Sequence, residues 1–65
     1  MFYTIFMELC KNNNKKHYSV LHELNIGSGN LARWKNGSIP NVYVLYDIAK
    51  YFHLRIEDLI DKEYL

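Results

Sequence analysis

Between residues 28 and 36 the chain sets Ser28, Asn30, Arg33 and Asn36 among Gly29 and Ala32. A hydroxyl, a primary amide and a guanidinium can read a hydrogen-bonding edge: the amide donates and accepts at once, and the guanidinium presents a rigid fork of donors. Leu31 and Trp34 lie three positions apart and give the stretch a buried side. At about 100° per residue, a helix with that buried side turns Gly29, Ala32, Arg33 and Asn36 outward, with Ser28 and Asn30 flanking. The outer face is short, small and polar. Its chemistry is recognition of a polar surface at close range rather than bond making.

The residues that could support other chemistry do not assemble into it. His17 and His22 are five positions apart, about 140° round a helix, so they do not share a face as an i, i+4 pair would. His53 is remote and no CxxC accompanies them, so no metal is expected. One cysteine, scattered histidines and no carboxylate pair in an apolar setting provide neither a nucleophile with its base nor an acid–base pair. Residues 27–30, GSGN, are too short for a dinucleotide fingerprint. The chain is therefore not expected to be an enzyme, and no cofactor is expected.

The elements that must position the polar face follow from apolar spacing. Val20, Leu21 and Leu24, then Leu31 and Trp34, form one buried stripe broken in the middle, which predicts two short helices around a tight turn. Asn25 is the hinge, since Asn tolerates a left-handed backbone, and Ile26 plugs the corner. Gly27 or Ser28 can cap the second of these helices, and Gly37 stops it. Upstream, Phe2, Phe6, Leu9 and Cys10 recur at helical spacing, and Asn12, Asn13 and Asn14 favour a turn. Downstream, Asn41 can cap a helix that buries Leu45, Ile48, Ala49 and Phe52, and a last helix packs Leu59 and Ile60. The fold class is all-α: a compact single domain, 1–65, with five helices over about 2–12, 17–24, 28–36, 42–52 and 56–62.

Sixty-five residues suffice for one core, burying about 60% of the unfolded surface. Cys10 is single, so no internal disulfide can form, and it reads as a small buried hydrophobe. The opening MFYTIFMELC carries Glu8, lacks a basic leader and falls short of the roughly 20 apolar residues that span a bilayer. Neither a signal peptide nor a membrane association is expected, and the location expected is cytoplasmic. The net charge of +1 conceals a division: residues 1–40 carry five cations against two carboxylates, net +3, and residues 41–65 carry three against five, net −2. A molecule with one phosphate-facing side would show such an asymmetry.

Val20, Leu21, Asn25, Ile26, Gly27, Leu31, Trp34, Asn36 and Gly37, followed by Pro40 and the run LYDIAKYFHLRIEDLI, resemble the Cro and phage-repressor (Xre-like) helix-turn-helix family over nearly the whole chain. The chain departs from the family pattern at Asn25, where glycine is usual, at Leu21 for alanine, and at Gly27 for the capping serine. His53 stands where the family often has glycine or asparagine, implying a strained helix end. The resemblance implies a compact repressor-like domain whose partner is double-stranded DNA, with helix 3 in the major groove. Arg33 would then take guanine bidentately, Asn30 adenine, Ser28 either donor or acceptor, and Ala32 a thymine methyl, while Gly29 allows close approach. Lys16 and His17 before helix 2, and Lys35, Asn36 and Ser38 after helix 3, would contact phosphates and set register.

So few base contacts imply modest specificity per half-site, helped by DNA shape or by a homodimer. Relatives pair through the end of helix 4 and helix 5, which assigns Tyr51, Ile56, Leu59 and Tyr64 to the dimer interface. With no sensor domain in view, no small-molecule effector is expected. A second reading stays open: a protein-interaction module, antitoxin-like or antirepressor, that keeps the fold and uses its aromatic surface.

Overall fold

The computed structural model describes residues 1–60 and contains, among them, four α-helices and a 3₁₀ turn. They are α1 (Phe2–Asn12), α2 (His17–Glu23), α3 (Gly29–Lys35) and α4 (Val42–Tyr51), followed by the 3₁₀ turn Ile56–Leu59. The expected fifth helix is thus corrected to a single tight turn. The N–H of Asp58 donates to the Arg55 carbonyl at 3.0 Å, and the Asp58 carboxylate accepts from the Arg55 N–H at 3.0 Å, an arrangement that closes a three-residue turn. Ile60 then leaves helical space at φ −116°, ψ 132°. Positions 61 and 62 of the expected helix lie outside the described residues.

Each α-helix ends in the same way. The N–H of Lys15 returns to the Cys10 carbonyl, Ile26 to Leu21, Ser38 to Arg33 and Leu54 to Ala49, at 2.8, 2.8, 3.0 and 2.8 Å. Such a return bond satisfies a carbonyl that the helix has orphaned, and it requires a left-handed residue just before it. Those residues are Asn14 (φ 54°), Asn25 (φ 57°), Gly37 (φ 105°) and His53 (φ 59°). Asn25, Gly37 and His53 therefore do what their types and positions lead one to expect. His53 is the costly one, since an imidazole gains nothing locally from the left-handed region.

Helix starts are less uniform. The Asn41 side chain accepts the Val44 N–H at 3.0 Å, as expected of an N-cap. Ser28 occupies the cap position of α3, but its backbone is already helical and its hydroxyl makes no capping bond. The first turn instead closes through the N–H of Asn30 on the Gly27 carbonyl and that of Leu31 on Ser28, each at 3.1 Å. Helix α3 is consequently one residue shorter at each end than the spacing suggested.

The core joins α1, α2, α3, α4 and the 3₁₀ turn through Phe6, Val20, Leu21, Trp34, Ile48 and Leu59. Phe2 and Phe6 from α1 clasp Trp34 from α3: ring centroids stand 5.0 and 5.4 Å away, at 83° and 72°, and the two phenyl rings stack at 6.0 Å. Edge-to-face contact adds about 1 kcal/mol per pair to the area buried. Leu59 is fully buried, which corrects its assignment to a dimer interface. It plugs the core under α1 and α4, and this explains why the chain turns tightly there.

Candidate nucleic-acid interface

Helix α3 is seven residues long and turns one residue fully inward, Trp34, at 2% exposure. That anchor leaves Ser28, Gly29, Ala32 and Arg33 exposed on the other side, with Leu31 half-buried beneath. The Arg33 guanidinium has no hydrogen-bond or ion-pair partner among the described residues. A Cβ built on Gly29 meets nothing within 4 Å, so its surroundings are open. The geometry is a small, polar helix flank with one long cationic arm.

Asn30 has a use in the fold beside the role expected of it. It is half-buried, and its Nδ2 donates to the Gly27 carbonyl at 2.9 Å. An amide so engaged has lent one of its two N–H donors to the turn between α2 and α3 and keeps the other, with Oδ1, for a base edge. The residue thus stabilises the start of α3 in place of the missing serine cap. Nothing in its type distinguishes the two uses, because Asn serves turns and base edges alike.

A second basic region lies where α1 gives way to α2. Lys11, Lys15, Lys16 and His17, with Met7, Cys10 and Tyr18, line an open cleft of about 410 Å³. Lys16 sits at the N-cap of α2 in an extended conformation, and His17 is half-buried with its ring 4.1 Å from that of Tyr18. The cleft floor is Cys10, whose thiol is pushed above its ordinary value by burial and stays protonated. Of the cations here, Lys11 and Lys15 were not singled out in the sequence. The signal for Lys11 was a helical one, since it follows Met7 by one turn, whereas Lys15 lies beyond α1 and is placed by its return bond to Cys10. Lys35, Asn36 and Ser38 are all exposed around the end of α3.

The dimer assignment fares differently residue by residue. Leu59 is core, and Ile56 is half-buried against it. Tyr51 donates its hydroxyl to Glu23 at 2.6 Å and packs on Phe52. Tyr64 lies outside the described residues. Exposed apolar side chains gather instead at Ile39, Val42, Tyr43 and Tyr46, around the start of α4 rather than its end. The wheel of α4 could have shown this for Tyr43 and Tyr46, which fall off the arc defined by Leu45, Ile48 and Ala49, whereas Val42 falls beside Ala49 on it.

Among the described residues no group of His, Cys, Asp and Glu could hold a metal, and no helix is long and apolar enough to cross a membrane. Compared with protein families, residues 7–63 match the model of the Cro/C1-type HTH DNA-binding domain. Searches of curated proteins and of solved structures give no match.

Proposed function

The chain belongs to the Cro/C1-type helix-turn-helix DNA-binding domains, and from that premise we propose that it binds duplex DNA with α3 in the major groove and regulates transcription, acting as a repressor by occupying a promoter. The observation that carries the reading is the division of α3 between an immobilised Trp34 and an unpartnered Arg33 on an otherwise small, exposed flank. An α-helix fits the major groove of B-DNA, and small residues let its first turn come close to the base edges. In this proposal Arg33 takes guanine, Ser28 and Ala32 make shorter contacts, Gly29 permits the approach, and Asn30 holds the turn. Lys16, His17, Lys35, Asn36 and Ser38 meet phosphates, joined by Lys11 and Lys15 at the cleft.

Selection of bound sequences from a random duplex library would define the site. Arg33→Ala should then cost about 1–3 kcal/mol on that site and relax preference at one base pair. Unchanged affinity and preference would sink the base-reading role of α3.

A helix this short offers few base contacts, so the reading includes a second copy on a symmetric site, working in the cytoplasm without cofactor or small-molecule effector. The exposed cluster at Ile39, Val42, Tyr43 and Tyr46 also favours a rival, a protein-interaction module that keeps the fold. A salt titration against random duplex DNA separates them. Log affinity falling steeply with log salt marks phosphate contacts, and no detectable association supports the rival.

A further inference from the structure

Lys15 lines two hollows at once. On one side it joins Lys11, Lys16 and His17 around the basic cleft; on the other it joins Asn13, Glu23, Tyr51, Phe52 and His53. Its main chain is fixed by the return bond from its N–H to the Cys10 carbonyl, so the freedom it has is that of its side chain. On the second side its Nζ stands 5.8 Å from the centroid of the Tyr51 ring, while the Tyr51 hydroxyl donates to Glu23 Oε2 at 2.6 Å. Lys15 and Glu23 make no ion pair. The tyrosine lies between an ammonium and a carboxylate that would otherwise attract one another.

We propose that Tyr51 is a positioning residue which occupies Glu23 with its hydroxyl and carries Lys15 on its ring, keeping Lys15 out of a direct ion pair and available to a DNA phosphate. This rests on the proposal that the basic cleft faces DNA. Both charges act on the same phenolic oxygen: the hydrogen bond to Glu23 raises its ionisation above the ordinary value, and Lys15 pulls the other way. A cation over an aromatic face keeps most of its hydration and stays exchangeable, whereas one paired to a carboxylate is neutralised as far as a phosphate is concerned. The ring itself is braced edge-to-face by Phe52 at 5.0 Å, so it keeps its place without the hydroxyl.

The test is a cycle of four proteins, wild type, Y51F, E23Q and Y51F/E23Q, titrated with salt against one duplex. Y51F frees the carboxylate, Lys15 falls to it, and one phosphate contact is lost. The slope of log affinity on log salt should shrink by about 0.9, with affinity down about three- to tenfold at low salt. In the E23Q background Y51F should have no further effect, because no carboxylate remains to capture the lysine. A merely structural tyrosine would lower the melting temperature in both backgrounds and leave the slope alone. An unchanged slope in Y51F, or an equal loss in both backgrounds, overturns the proposal.

Should the wild type bind no duplex, the DNA reading fails on its own account and the clasp is judged in the free protein. There, side-chain NMR titration of Tyr51 should show Glu23→Gln lowering its midpoint and Lys15→Met raising it. A midpoint that either variant leaves unchanged would overturn the clasp.

Discussion

Helices α3 and α4 lie next to one another in the chain and are held in opposite ways. Helix α4 buries Leu45, Ile48 and Ala49 along its length and leaves bulky apolar groups, Val42, Tyr43 and Tyr46, outside. Helix α3 buries Trp34 alone and leaves small and polar groups outside. A scaffold helix is secured by many contacts and can tolerate an idle outer face. A helix proposed to enter a groove has to be slim on its outer side, and the hold of α3 on the domain is concentrated in one large ring and in the bonds at its two ends.

The sharpest way to break that contrast is at the anchor. Trp34→Ala should cost about 3–5 kcal/mol, comparable with the whole stability of a domain this size, so circular dichroism should show loss of the fold. Retained cooperative melting near the wild-type temperature would mean that α3 is held by something other than its clasp with Phe2 and Phe6. Next comes the outer face. Gly29→Leu has open space and an ordinary φ, so stability should hold or rise slightly, while affinity for the selected site falls at least about tenfold, or about 1.4 kcal/mol. A variant that melts early would show instead that the flank was supporting the fold.

The start of α4 gives a smaller effect of the reverse kind. Asn41→Ala removes the cap on the Val44 N–H and should cost about 1 kcal/mol of stability, with salt dependence on DNA unchanged; a lost phosphate contact would place that loop in the interface. The smallest effect concerns Cys10. Burial raises its ionisation in the fold above the ordinary value of 9.0, so the folded state holds its proton where the unfolded state releases it. Its contribution is complete below that value and is lost as pH rises from there through the raised value of the folded state. Urea melts at increasing alkaline pH should therefore show a decline that Cys10→Ala lessens, and an identical decline in both proteins would count against a protonated thiol in the core.

Much of the fold was readable along the chain because the physics is local. The spacing of Phe2, Phe6 and Cys10, and of Leu45, Ile48 and Ala49, marks helix faces whatever lies beyond them, and the buried side of α3 followed from Trp34. Asn25 and His53 adopt the left-handed conformations their positions called for, because a return bond within six residues sets them. The exposed, small and polar flank on α3 was legible for the same reason, as the complement of its buried side. Asn30 shows the limit: its type and position suit a base contact but do not reveal that its Nδ2 also donates to the Gly27 carbonyl.

What residue types and spacing determined without help was four α-helices, the ends of α2, α3 and α4, and the side of each helix that goes inward. Only the tertiary structure decided that Leu59 lies in the core, that residues 56–59 close into one tight turn, and that Tyr51 reaches Glu23, twenty-eight positions away. Helix periodicity and chain-end hydrogen bonds act over a few residues and leave their mark in the order of amino acids. Which side chain fills the last gap between two packed helices depends on distances that arise once the chain has closed on itself.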